Sequence, residues 1–192
     1  VSKSDQANSK DKKKKKKVKP MEADHFVSKF GADILRLWVA SVDWETEVPF
    51  GEGLFKQTSD TYRRIRNTLR ILLGNLHDFD NKKDAIPYAK MTIIDQWILE
   101  RLHQVTLECA KGYETFQFRK AYNAINNFCT NDLSSIYIDI TKDRMYCDLP
   151  DAHKRRSTQT CMSKVFNDLC HLLAPILCYT ADEAWEHAGH SP

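Results

Sequence analysis

The 192-residue sequence contains no run of eighteen apolar residues, and its lysine-rich start is not followed by an apolar segment. The first absence argues against a membrane-spanning helix, which needs about twenty consecutive apolar residues. The second argues against a secretory signal peptide, which carries an apolar stretch behind its positive charges. We therefore expect no membrane contact and a cytoplasmic location.

Metal-binding spacing is also missing. The six cysteines include no C-x-x-C pair, and the seven histidines show no pairing at i and i+4 and no ligand spacing with acids or cysteines. We therefore expect no metal site in this chain. The cysteines are interpreted as buried, reduced thiols. They are Cys109, Cys129, Cys147, Cys161, Cys170 and Cys178.

Catalytic motifs are absent as well. The Gly-Glu-Gly triplet at 51–53 has neither the length nor the preceding strand of a phosphate-binding loop. Asp139 and Asp143, four residues apart, could in principle hold a metal ion. Lys142 and Arg144 lie beside them, however, so we interpret this stretch as an ion-paired helix terminus. No catalytic residue is expected within the chain.

The sequence does contain strong helical periodicity. Apolar residues make up 42% of the chain, which is enough for one domain with a buried core. Helices are predicted over 54–76, from Thr92, from Gln117 and from Ala152, and no useful strand alternation is present. Thr92 and Asp95 resemble a capping box. Four long antiparallel helices predict an all-α bundle, preceded by a small N-terminal connector.

Two of these helices have predicted core stripes that matter below. In the first, residues at steps of three and four share one face: Leu54, Thr58, Thr61, Ile65, Leu69, Leu72 and Leu76. The third has a stripe of Ala121, Ile125, Phe128, Leu133, Ile136 and Ile140. We expect that helix to bend where Asn131 and Asp132 interrupt it. Farther along the chain, Thr180 and Glu183 resemble a second capping box that opens a short helix.

Basic residues are concentrated locally, although the net charge is only +3. Residues 1–20 contain nine lysines and two aspartates, and six of the lysines are consecutive. Like charges should keep this segment extended. It is either a solvated insertion or a loose contact to a polyanion.

The predicted helix over 54–76 carries four arginines within eight residues: Arg63, Arg64, Arg66 and Arg70. Guanidinium forks match phosphate oxygens, so the cluster favours nucleic acid. Lys142, Arg144 and Tyr146 form a second basic cluster with an aromatic ring at the end of the third helix. Arginine contacts and base stacking are how single-stranded RNA loops are bound. The prediction is an RNA-binding bundle, and a protein-interaction bundle is the alternative.

Four phrases of the sequence resemble the isoleucyl-tRNA synthetases of bacteria, a class I family. They are FGADILRLWVASVDW at 30–44, YRRIRNTLRILLGNLHDFD at 62–80, YIDITKDRMY at 137–146 and LLAPILCYTADEAW at 172–185. The resemblance covers nearly all of 21–188, in the same order and spacing. Valyl-tRNA synthetases share the architecture and remain an alternative family. A free-standing helical adaptor is the alternative from another class.

The resemblance implies a fragment of a longer enzyme, and the missing initiator Met agrees with this. Val-Ser-Lys-Ser looks like the end of the ATP-binding signature K-M-S-K-S. Residues 1–19 would then be the remnant of this loop with the lysine-rich segment, 20–53 a connector that contacts the tRNA stem, and 54–188 the anticodon-binding bundle.

The same resemblance implies ligands and partners. Ser2, Lys3 and Ser4 would contact ATP in the Mg²⁺-dependent parent enzyme, and any zinc would bind outside this chain. The partners would be the anticodon stem-loop of tRNA(Ile) and the remaining domains of the parent, and not DNA. The parent would attach isoleucine to tRNA(Ile), whereas the fragment alone is expected to be non-catalytic.

The residues expected to contact tRNA are Arg63, Arg66, Asn67, Arg70, Lys142, Arg144 and Tyr146. Arg63 and Arg70 project from the outer face of their helix and are expected to bind phosphates. Arg66 lies at the edge of the apolar stripe, where neighbours can fix its guanidinium. It is therefore the candidate for a base or sugar contact, and the resemblance also maps anticodon contacts onto Arg66, Asn67 and Arg144. The structural alternative is that Arg66 joins its helix to a carboxylate of another helix.

Overall fold

The computed structural model describes residues 23–48 and 50–190, and no strand is found within those two ranges. The helices in them are α1 (Ala23–Phe30), α2 (Ala32–Ser41), α3 (Glu52–Gly74), α4 (Ile93–Glu114), α5 (Phe118–Asn127), α6 (Ile138–Cys147), α7 (His153–Leu173) and α8 (Cys178–His187). The prediction of an all-α helical bundle is confirmed. The residues assigned to ATP contact, Ser2, Lys3 and Ser4, lie outside the described residues. No helix in the described ranges has the length and apolarity to cross a membrane.

The long helices alternate in direction along the chain. Gln159 near the start of α7 donates to the carbonyl of Asn75 just after α3, and Arg155 donates to the carbonyl of Met145 near the end of α6. The start of α4 meets the start of α7 in the same region. We call this end of the bundle the pole. It is where α3 and α6 end and where α4 and α7 begin.

The predicted core face of α3 is confirmed over most of its length. Ile65, Leu69 and Leu72 are each at most 3% exposed, and they belong to one cluster with the apolar stripes of α4 and α7. Leu54 and Leu76, the two ends of the predicted stripe, are only partly buried. The helix begins and ends two residues earlier than expected, at Glu52 and Gly74. This is the usual error in locating helix ends.

The third predicted helix widens where Asn131 and Asp132 lie. Residues Phe128–Tyr137 form a π-helical segment that joins α5 to α6. The hydroxyls of Ser134 and Ser135 donate to carbonyls five residues back, at 2.7 and 2.9 Å. A π-helical turn holds more residues than an α-helical turn, so it rotates every later side chain around the axis.

This rotation corrects the second half of the predicted stripe. Ile136 and Ile140 are 39% and 52% exposed. Their places in the core are taken by Tyr137, Thr141 and Met145, which are at most 4% exposed. The first half of the stripe, before the widened segment takes effect, is buried as predicted.

A second cluster of aromatic side chains joins α1 and α2 to the start of α3. Phe26, Ile34 and Phe55 are buried at its centre. The ring of Phe55 stacks on that of Phe26 with centroids 4.4 Å apart, and Trp38 and Phe50 pack against it at 5.2 and 5.6 Å. The residues before α3 are therefore held to the bundle by their own small core.

A buried carboxylate lies at the pole. Asp95 is fully buried, and its oxygens accept hydrogen bonds from four hydroxyl groups. The donors are Thr92, Tyr137, Ser157 and Thr158, at 2.6 to 3.2 Å. Helix α4 does start after Thr92, as predicted, but neither side chain caps its backbone. The expected capping box is replaced by a link between α4, α7 and the widened segment, because the core around Asp95 supplies better donors.

Candidate nucleic-acid interface

The first predicted cluster lines a groove between α3 and α8. The groove is lined by three of the four clustered arginines, Arg63, Arg66 and Arg70, and by Asn67, whereas Arg64 is not among its lining residues; the cavity volume is about 590 Å³. The four residues meet because positions three and four apart share a face of a helix. Leu69, Leu73 and Ala184 add apolar lining, and Glu183 and His187 come from α8. The sequence did not predict that α8 would form the other side of this groove.

Arg66 is paired with a carboxylate of α8. Its Nη1 donates to Oε2 of Glu183 at 2.6 Å and its Nη2 to Oε1 at 2.7 Å, which is a bidentate pair. The structural alternative stated for Arg66 is therefore present. The predicted capping box is wrong at Glu183, because α8 begins at Cys178 with Leu177 as its N-cap.

Both members of this pair are charged at neutral pH. The hydrogen bond from Arg66 lowers the pKa of Glu183, and the hydrogen bond to Glu183 raises the pKa of Arg66. The stability that the Glu183 carboxylate contributes is present above its ordinary pKa and is lost as the pH falls through the lowered one. That contribution is small, because the two side chains are 46% and 48% exposed.

A chain of hydroxyl groups connects Arg66 to α2. Asp33 of α2 is buried, and its Oδ2 accepts from the Thr180 hydroxyl at 2.6 Å and from the Thr180 amide at 2.8 Å. Because the single Thr180 hydroxyl proton goes to Asp33, the Tyr62 hydroxyl must donate to Thr180, 3.0 Å away. The Tyr62 oxygen then accepts from Nη1 of Arg66 at 3.5 Å. Sequence reasoning missed this role of Asp33.

Arg63, Asn67 and Arg70 are more exposed than the core-facing residues between them. The Nη1 of Arg63 lies 3.0 Å from Oδ1 of Asp60, but the two side chains are 76% and 63% exposed. Such a pair is weak in water, so Arg63 can turn toward a ligand at little cost.

The second predicted cluster lies at the end of α6, at the pole. Arg144 is half-buried, and its Nη1 donates to the Thr92 hydroxyl at 3.0 Å and lies 3.8 Å from Oδ2 of Asp95. Lys142 donates to Asp139 at 2.8 Å, which is one pair of the predicted ion-paired stretch, whereas Arg144 faces Asp95 rather than Asp139 or Asp143. The third member, Tyr146, is 75% exposed.

A depression beside Arg144 was not predicted. Its lining also includes Thr92, Ile93, Ile94 and Trp97. The Ile93 side chain is 85% exposed, whereas Trp97 packs partly against the core, as expected for it. At 1.5 Å per residue, Arg70 lies roughly 6 Å and Arg63 roughly 17 Å from the pole end of α3, so the first cluster extends from the middle of that helix toward the pole.

The arginines at the start of α7 are structural. Arg155 is 9% exposed and donates to the carbonyl of Met145 and to Asp78, at 2.7 and 2.9 Å. Arg156 donates to the carbonyl of Asp78 at 2.8 Å. Burial raises the pKa of the Asp78 carboxyl, but hydrogen bonds from Gln159 and Arg155 outweigh that effect and lower it. These cations join α7 to α6 and to the segment after α3.

The cysteines carry no disulfide, and four of the six are buried. Burial raises the pKa of the Cys109, Cys129 and Cys170 thiols to about 12, so they are protonated and inert at neutral pH. Among the described residues, no group of three or more His, Cys, Asp or Glu could hold a metal ion.

Comparisons with known proteins identify the family. The family model described as the anticodon-binding domain of tRNA ligase matches residues 95–192, just over half of the chain. Isoleucine–tRNA ligase of Carboxydothermus hydrogenoformans is 46% identical over 161 residues, covering 84% of this chain and 17% of the relative. That of Synechococcus sp. is 48% identical over 157 residues, covering 82% and 16%. The chain spans about one sixth of the length of these relatives.

A solved structure shares the fold. It is the ternary complex of the Agrobacterium radiobacter K84 agnB2 LeuRS with tRNA and LeuAMS, at a TM-score of 0.63 and 16% identity, covering 89% of this chain and 20% of that one. Together, the fold and the family model define a tRNA-ligase domain. The chain belongs to the family of anticodon-binding domains of tRNA ligases, and it is similar to the isoleucine–tRNA ligases named above.

Proposed function

We propose that this chain binds the anticodon stem-loop of tRNA(Ile) as part of an isoleucine–tRNA ligase. The observation that carries the proposal is the groove where Arg63, Arg66, Asn67 and Arg70 lie together, in a member of the anticodon-binding family. The longer protein would attach isoleucine to tRNA(Ile) in the cytoplasm, using ATP and Mg²⁺. Any zinc would lie outside this chain.

Within each basic cluster, different residues would contact different parts of the RNA. Arg63 and Arg70, exposed at the groove, would bind phosphates and position the RNA. Arg66 and Asn67 would contact a base or sugar, because Arg66 is held in place by Glu183. At the pole, Arg144 is similarly held by its neighbours and would contact the loop. Lys142 would attract the backbone, and the exposed ring of Tyr146 would stack on a base.

The proposed division of the chain has three parts. Residues 1–19 would belong to the ATP-signature loop of the longer protein, with Ser2, Lys3 and Ser4 near ATP. Residues 20–53 would be the connector that contacts the tRNA stem, and 54–188 would be the anticodon-binding bundle. The aromatic cluster supports a connector that is fastened to the bundle, since it joins α1 and α2 to the first turn of α3.

Arg66→Ala is expected to weaken binding of the cognate anticodon stem-loop by about 1 to 3 kcal/mol, the range for a bidentate base contact. The loss should be smaller for stem-loops with valine or methionine anticodons. Fluorescence titration with the three RNAs measures it, together with urea unfolding of the variant.

The matched control is Arg63→Ala. It should weaken the three RNAs about equally and lower the salt slope by roughly one unit, because it removes one phosphate contact. If Arg66→Ala lowered stability but left the preference among the three RNAs unchanged, Arg66 would be only a tie between α3 and α8.

The chain by itself is expected not to activate isoleucine. Incubated with ATP, Mg²⁺, isoleucine and labelled pyrophosphate, it should show no isoleucine-dependent exchange, because the proposed division leaves the amino-acid site outside it. If the reaction with isoleucine showed more exchange than a blank from which isoleucine is omitted, the proposed division would be contradicted. An isoleucine–tRNA ligase of full length serves as the positive control.

A further inference from the structure

The groove between α3 and α8 contains a carboxylate among its cations. Glu183 lines the same cavity as Arg63, Arg66 and Arg70. A groove that only attracted phosphate would gain nothing from a negative charge there, since like charges repel at short range. Glu183 does not start α8 either, because that helix begins five residues earlier.

The pair with Glu183 changes what Arg66 offers to a ligand. Both Nη atoms are engaged by the carboxylate, at 2.6 and 2.7 Å, and the Tyr62 hydroxyl lies 3.5 Å from one of them. A guanidinium has five N–H donors, so some remain for a ligand. The net charge of the pair, however, is zero.

Apart from Arg63, Arg70 and His187, which are exposed, the remaining lining suits a flat, uncharged ligand. Leu69, Leu73 and Ala184 provide apolar contact, and the Asn67 amide can both donate and accept hydrogen bonds. The free lone pairs of Glu183 can accept from an N–H group. A nucleobase has an apolar face and an edge with both donors and acceptors. The volume of about 590 Å³ is within the range of small-ligand sites, roughly 300 to 1,000 Å³.

We infer that Glu183 is a specificity-determining residue, which keeps phosphate off Arg66 and reserves the part of the groove around Arg66 and Asn67 for a nucleobase of the bound RNA. The inference rests on the proposed function, because it names the part of the RNA that the groove takes. Phosphates bind instead at Arg63 and Arg70, the two other arginines of the groove, which are exposed. Specificity then comes from the unfavourable free energy of placing a phosphate beside Glu183 as much as from favourable contacts to a nucleobase.

The test is Glu183→Gln, which keeps the size of the side chain and removes its charge. Arg66 is then available to phosphate. Binding of non-cognate anticodon stem-loops should tighten about threefold to tenfold at low salt, and the salt slope should rise by about one unit. The cognate stem-loop should gain less, so the ratio of cognate to non-cognate affinity falls.

The matched control is Glu186→Gln. Glu186 is exposed on the same helix and does not line the groove, so the change in net charge is equal. It should leave the affinity ratio and the salt slope unchanged. If both variants behaved alike, the effect would be one of net charge and the inference would be overturned.

A second measurement does not depend on RNA. The Arg66 Nε–H signal in ¹⁵N NMR is followed while inorganic phosphate is added. It should move in the Glu183→Gln variant and stay in place in the unmodified chain. Movement in both would show that Glu183 does not exclude phosphate. If the phosphate result is as expected but the unmodified chain binds no stem-loop, the proposed function and the nucleobase assignment fall together, and the exclusion of phosphate stands.

Discussion

Replacing Asp95 with alanine is expected to lower the free energy of unfolding by about 3 to 5 kcal/mol, the cost of breaking a buried charged network. Asp95 is 0% exposed and accepts from four hydroxyl groups that belong to two helical segments, Phe128–Tyr137 and α7, and to the N-cap of α4. Its removal leaves these donors without an acceptor in a space that water does not fill easily. Urea unfolding followed by circular dichroism gives the difference.

Two further variants make the result interpretable. Asp95→Asn should lower the free energy of unfolding by less, because a hydroxyl group can rotate to accept a hydrogen bond from the asparagine amide. Asp139→Ala removes an exposed carboxylate in the first turn of α6, which is paired with exposed Lys142, and should leave stability nearly unchanged. An Asp95→Ala protein as stable as Asp139→Ala would show that the hydroxyl network is not important for the fold. In the Asp95→Ala variant, Arg144 would also lose the Asp95 carboxylate, 3.8 Å away, so RNA binding at the pole should weaken.

Phe55→Ala is the second large effect, and we expect it to cost about 3 to 5 kcal/mol, the usual cost of emptying a buried phenylalanine site. Phe55 is 0% exposed and lies against the rings of Phe26, Phe30, Trp38 and Phe50. No smaller neighbour can collapse into the space, because these rings are held by three different segments. Calorimetry and urea unfolding both measure the loss.

The number of unfolding transitions that Phe55→Ala shows is as informative as its loss of stability. Tyr62 packs against both the aromatic cluster and the main core, so the two should still unfold together. The control is Phe116→Ala, at a ring that is 68% exposed, which should cost less than about 1 kcal/mol. Two separate transitions would show that the part before α3 folds independently of the bundle.

Helix positions could be predicted because they depend on local periodicity. The core residues of α3 and α4 recur at three and four, and the turn after α1 contains Gly31, whose φ of 94° suits glycine. The residues expected to contact RNA on α3 also meet in the structure, since one helix carries all four. Their roles toward RNA remain predictions.

The register of the α5–α6 segment could not be predicted. Simple periodicity assumes a constant number of residues per turn, and the widened segment Phe128–Tyr137 breaks that assumption. Tyr137 enters the core and its hydroxyl donates to Asp95 at 2.6 Å, while Ile136 turns outward. The hydrogen bond to a buried carboxylate 42 positions away favours this register, and the segment's own sequence does not predict that contact.

The sequence by itself determined that this chain is a helical bundle of the anticodon-binding family, because apolar spacing and characteristic phrases are properties of short stretches. Only the tertiary structure decided which charges pair with which. Arg66 and Glu183 are 117 positions apart, and Asp33 and Thr180 are 147 apart. Each pair forms because the bundle brings α2, α3 and α8 together. The interaction between two charged or polar groups weakens with their distance in space, not with their separation along the chain. Contacts of this kind can therefore be identified only once the helices are packed.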